Sequence, residues 1–120
     1  MPIDSAAARA LNEQANDTVT AAREAGKTSI PIQTATLEQA HALYTQALAH
    51  DPTNAEIYYN RSGVSDLLGW HAQAKIDLDL AIKHAPEDMK GVLSKNRPRN
   101  AQQDAAIYHA KQASSTGRGH

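Results

Sequence analysis

Six chemically matched residue pairs in this 120-residue chain are separated by one interval, 34 positions. They are Ala40 and Ala74, Tyr44 and Leu78, Ala47 and Ala81, Leu48 and Ile82, His50 and His84, and Pro52 and Pro86. A fixed period in the range of about 20–50 residues marks a stack of supersecondary units, none of which buries its apolar face alone. The recurring residues have a physical order. Small side chains return where two helices must approach closely, larger ones where they fill the gap between, and proline where one helix pair turns into the next.

Composition fits thin helix-on-helix packing. Alanine occurs 23 times, while Leu, Ile and Val together occur 19 times and Phe is absent. Large aliphatics are near the floor expected for an ordered core, which argues against a thick globular core or a β-sandwich. With no cysteine, disulfides, thiolate metal sites and cysteine nucleophiles are all excluded. A formal net charge of −1 does not suit a bulk polyanion binder. The isolated fold is expected to be marginal.

Residues Ala8, Leu11, Ala15, Val19 and Ala22 step by three and four, placing a first helix over 5–26. Asp4 or Ser5 is its expected N-cap and Gly26 its expected left-handed stop. Residues 27–36, with Pro31 and three threonines, read as a loop. Thr36-Leu37-Glu38-Gln39 has capping-box spacing and opens a second helix, ended by Asp51-Pro52. Thr53-Asn54-Ala55-Glu56 repeats that spacing and opens a third, closed by Gly69. Trp70 begins a fourth, which stops before Pro86. A fifth is expected over 86–96, halted by Pro98, and a sixth after Asn100, containing Ala101, Ala105, Ala106 and Tyr108. No segment alternates with period two for long, so the chain is predicted to be all-α, with about six helices.

The 34-residue unit resembles the tetratricopeptide-repeat family, carried by Tyr58, Ser62, Gly69, Ala74, Leu78, Ala81 and Pro86. That resemblance implies antiparallel helix pairs stacked as a short right-handed superhelix. It places one helical domain at 1–113. Within it lie a first repeat at 5–54 with a long turn loop, a best-matched repeat at 55–88 and a degenerate third pair at 89–113. Residues 114–120, Ser-Ser-Thr-Gly-Arg-Gly-His, read as a flexible tail.

The resemblance further implies that the first helix of each pair lines a concave side, where extended peptides or helices dock. Candidate partner-binding residues are Asn16, Tyr59, Asn60, Asp66, Leu67 and Lys90. Tyr59, Asn60, Gly63, Asp66 and Leu67 lie three, four and seven apart and share one helix side. The run Tyr58-Tyr59-Asn60-Arg61-Ser62 is similar to the second repeat of chaperone-binding members, whose carboxylate clamp uses two Asn and three basic residues. Asn60, Asn16 and Lys90 match clamp positions. Asn12 and Ser94 stand at the other two and neither is basic, so such a clamp is incomplete.

Charge is uneven. Residues 1–89 carry six basic and twelve acidic side chains, net −6, and residues 90–120 six basic and one acidic, net +5. Lys95, Arg97, Arg99, Lys111 and Arg118 therefore form a candidate basic docking segment for an acidic protein surface. Tyr108 is its single aromatic, so nucleic acid is not the expected partner. The six histidines have no spacing of three to five, and no metal site follows from them. Asp77 and Asp79 project to opposite sides of a helix, which rules out a paired-carboxylate site. Trp70 reads as an inter-helix plug.

Neither catalytic residue nor cofactor is expected, and the chain reads as a non-enzyme. Its expected role is a protein–protein interaction module using the concave groove and the basic segment, within a larger complex. One alternative is a small structural subunit of a cytoskeletal, ciliary or organellar assembly. Another is a co-chaperone-type adaptor for an acidic C-terminal peptide. No apolar run reaches the roughly 18 residues that span a bilayer. Residues 1–5 also lack the start of a secretory signal, so a cytoplasmic location is expected, in a cytoskeletal or organellar assembly if not free.

Overall fold

A computed structural model of the chain describes residues 2–91 and 93. Its elements are α1 (Ser5–Ala25), α2 (Ile30–His50), α3 (Ala55–Leu67) and α4 (His71–His84). The chain is helical again at 87–91 and at 93. No strand occurs among the described residues. The predicted sixth helix and the tail at 114–120 lie outside them.

Packing follows chain order. α1 lies on α2, α3 on α4, and α2 on α3, with α1 touching α3 along a narrower seam. Alanine makes the first pairing possible. Ala8, Ala15, Ala22, Ala40 and Ala47 are all 0% exposed, and a methyl side chain lets two backbones come close while leaving little volume to fill. The larger filling comes from Leu37, Tyr44, Leu48, Ile57 and Tyr58, all buried. Truncating one of these, such as Ile57, to Ala costs about 2–5 kcal/mol.

The first pair departs from the expected boundaries. The loop predicted at 27–36 is only the turn between Ala25 and Ile30. Ser29 caps α2, its Oγ accepting from Ile32 N at 3.4 Å. Pro31 sits in the first turn, where its missing N–H is not needed. Thr34 and Thr36, which read as loop residues, instead donate their hydroxyls to the carbonyls of Ile30 and Ile32 at 3.0 and 2.8 Å. Thr36 is therefore interior to α2 and not its cap. Gly26 is right-handed, at φ −62° and ψ −20°. The chain keeps turning the same way, Ser29 N donating to Ala25 O at 2.7 Å, so no left-handed stop is required. Both α1 and α2 have 21 residues against 13 in α3, making them about 12 Å longer.

The second pair starts and turns differently again. Asn54, one residue after the expected Thr53, caps α3 by accepting from Ile57 N at 3.2 Å. Thr53 instead closes a turn on Asp51, donating its backbone N–H at 3.0 Å and its hydroxyl at 2.7 Å to Oδ1. At the far end Gly69 N donates to Asp66 O and Trp70 N to Ser65 O, at 3.0 and 2.8 Å. Gly69 itself is left-handed, φ +83°. These two bonds and that glycine make a Schellman stop, which satisfies carbonyls that α3 would otherwise leave open. α4 ends at Ala85, whose extended backbone precedes Pro86.

Candidate functional site

The predicted docking face is held together by amides. Asn60 on α3 donates Nδ2 to Asn12 Oδ1 on α1 at 3.0 Å. Asn12 is only 4% exposed, and a buried amide needs such a partner. One turn further along α1, Asn16 accepts the hydroxyl of Tyr44 from α2. Tyr44 is 2% exposed. Burial, reinforced by the Glu56 carboxylate and opposed by Arg23, pushes its phenol up to about 12. The hydroxyl therefore stays protonated and donating near neutral pH.

The sequence-derived candidates fall in different places. Asn16 belongs to α1 and holds Tyr44 of α2, while Asn60 of α3 joins α1 one turn earlier at Asn12. Tyr59 and Asn60 are half-buried and Gly63 and Leu67 exposed along α3. Asp66 lies beside the imidazole of His71, its Oδ1 3.2 Å from Nδ1 and placed to accept an N–H from it. Lys90 pairs with Glu87 at 3.2 Å. Lys95, Arg97, Arg99, Lys111 and Arg118, and Ser94 with them, lie outside the described residues.

On the other side of α3 an ionic clasp joins three helices. Arg61 donates Nε and Nη2 to the two oxygens of Asp77 on α4, at 2.9 and 2.7 Å. Its Nη1 reaches Thr45 Oγ1 on α2 at 3.3 Å. The Asp77 side chain is 0% exposed and that of Arg61 14%, so the geometry is bidentate and largely dry. Arg61 also lies over the Tyr58 ring, 5.8 Å from its centroid. Tyr58 stacks on His84 at 5.6 Å and donates its hydroxyl to Pro52 O at 2.7 Å. Asp79 is exposed, so the two aspartates do face opposite ways. The clasp escaped the sequence reading, although a signal was present. Asp77 falls on the stripe Ala74, Leu78, Ala81, and Arg61 on the stripe Tyr58, Ser62, Ser65, so both are charged residues on core-facing stripes.

Where α2 meets the α3–α4 turn, His41 packs edge-on to Trp70, centroids 5.0 Å apart and planes 79° apart. Trp70 is not a full plug, being 43% exposed. His41 Nε2 is buried with no hydrogen-bond partner. Burial, with the Arg61 guanidinium nearby, holds the imidazole below its ordinary value, against an opposing pull from Asp77.

Among the described residues no group of three or more His, Asp or Glu could hold a metal ion. Nor is any of their helices long and apolar enough to cross a membrane. In comparisons with known proteins, the family model of the tetratricopeptide repeat matches residues 43–76. That stretch runs from the second half of α2 through α3 into α4, one repeat read from a different starting point than 55–88. No curated protein and no solved structure matches the chain.

Proposed function

We propose, from the premise that the chain carries a tetratricopeptide repeat at residues 43–76, that it is a protein–protein interaction module. In this reading the α1–α3 face receives an extended segment of a partner protein. The observation that carries it is the Asn12–Asn60 bond. It holds two first helices side by side and leaves Tyr59, Gly63 and Leu67 along one accessible strip. Tyr59 offers a flat wall with a polar tip. Asn60, using one N–H toward Asn12, retains a second N–H and a carbonyl for a peptide backbone. The basic segment Lys95, Arg97, Arg99, Lys111 and Arg118 would add attraction for an acidic partner surface.

Affinity capture from native extract tests this. The full chain should retain a partner that Tyr59→Ala and Asn60→Ala lose and that Lys75→Ala, on the outer side of α4, keeps. Equal capture by all four chains would sink the groove reading.

A second reading, permanent incorporation in a larger assembly, is favoured by the exposed apolar side chains. Ile30, Ile32, Leu67 and Ile76 are each more than half exposed, apolar side chains that a permanent neighbour would cover. Copurification in fixed stoichiometry supports it; a sharply melting monomer opposes it. Less support exists for a chaperone-type clamp, because Asn12 is neutral and bound to Asn60 while Lys90 already faces Glu87. A short peptide with an acidic C-terminus should show no binding at about millimolar concentration, some 4 kcal/mol of affinity.

A further inference from the structure

We propose that His41 and Trp70 form an acid-released latch that holds the α3–α4 pair against α2 and lets go when the imidazole takes a second proton. The proposal concerns how the two helix pairs are coupled and does not depend on what the groove binds.

The geometry leaves a proton on Nε2 without a partner. A neutral imidazole needs one acceptor and one donor partner, whereas the charged ring carries N–H on both nitrogens. His41 Nε2 is buried and unpartnered, so a proton there would be an unsatisfied charged donor shielded from water. The groups that face it from the neighbouring helices are Arg61 on α3 and Asp77 on α4. Arg61 is a like charge. Asp77 would be the natural acceptor, but its two oxygens already take Arg61 Nε and Nη2, and Gln73 Nε2 lies 3.3 Å from Oδ1. On its own helix Thr45 is engaged as well, donating its hydroxyl to His41 O at 2.9 Å and accepting from Arg61.

The charged ring therefore has two ways to be satisfied. It swings toward solvent and gives up the Trp70 edge, or it competes with Arg61 for Asp77. Either route loosens the junction where α2, α3 and α4 meet. Trp70 is the single tryptophan of the chain, so the contact reports on itself, because a departing or charged imidazole changes the emission of an indole in contact with it.

The test is a pH titration of the full chain from 7.5 to about 4.5, following Trp70 emission and the ring signals of His41 by NMR. The expected result is a change in emission with an apparent midpoint below the ordinary 6.5 of histidine, tracking the His41 ring. The His41→Phe chain keeps an aromatic edge and should lose that change. His71→Gln, beside Trp70 and paired with Asp66, should keep it. A His41 ring titrating at or above 6.5, emission flat over the range, or the same transition in His41→Phe overturns the proposal. The NMR measurement needs no variant, so a poorly folding His41→Phe chain does not shelter it.

Discussion

Asn60 reaches across 48 residues of sequence to donate its amide to Asn12 at 3.0 Å, and this bond is the polar core of the α1–α3 seam. Removing Asn60 leaves the Asn12 carbonyl buried without a donor. Asn60→Ala is expected to cost about 1–3 kcal/mol of folding stability. Once Asn12→Ala has been made, the further loss should be much smaller. Chemical denaturation of the two single chains and the double chain measures this coupling; additive losses would refute the pairing.

The Arg61–Asp77 clasp predicts a strong asymmetry. Asp77→Ala leaves a guanidinium with little solvent, and Arg61→Ala leaves a carboxylate with none. Each is expected to lose about 3–5 kcal/mol, while the joint change Arg61→Met with Asp77→Leu loses far less because no lone charge remains. Equilibrium unfolding of the three chains decides it.

Two glycines in turns should respond differently to a methyl group. Gly69 is left-handed at φ +83°, so Gly69→Ala is expected to lose about 1–2 kcal/mol, and Gly69→Asn less. Gly26 is right-handed, and a Cβ there meets only the end of the Gln33 side chain, whose amide must turn away. Gly26→Ala is expected within about 0.5 kcal/mol of the parent, the stiffer unfolded chain offsetting the move of Gln33. Thermal midpoints of the two variants check the order.

Tyr44 gives the fold an alkaline limit. Its phenol is raised from 10.0 to about 12 in the folded state. The unfolded chain releases this proton first, so the Tyr44 contribution is present below pH 10 and lost as pH rises toward 12. Tyr44→Phe should begin less stable, having lost the bond to Asn16, yet decline less steeply between those limits. Urea midpoints at pH 8 and above 10 are the measurement. Parallel decline in both chains would mean that Tyr44 is not the group responsible.

The helices themselves were legible because periodicity reports burial. The stripe Ala8, Leu11, Ala15, Val19, Ala22 marked α1, and the interval of 34 marked the repeat that the family comparison found. Gly69 and Pro86 were read correctly because left-handed backbone and a missing N–H act locally. Pro31 and three threonines suggest a loop at 27–36, yet proline suits the first turn of a helix, and inside a helix a threonine hydroxyl can bond the carbonyl four residues back. In the candidate site, Tyr59 and Asn60 could be placed on a face, but the bond from Asn60 to Asn12 depends on the separation of two helices far apart in sequence. The His41–Trp70 contact was hidden for the same reason.

Ala8, Ala15 and Ala22 are buried at intervals of seven, as are Ala40 and Ala47, and such spacing is indifferent to alignment. Slide α1 along α2 by one heptad and methyl groups again meet methyl groups. What breaks the degeneracy is the partner offered to Tyr44. A shift of seven in either direction replaces Asn16 by Arg9 or Arg23, cations with no acceptor for the phenol. The alanines thus set how near the two helices lie, and one tyrosine hydroxyl chooses among the alignments they would equally tolerate.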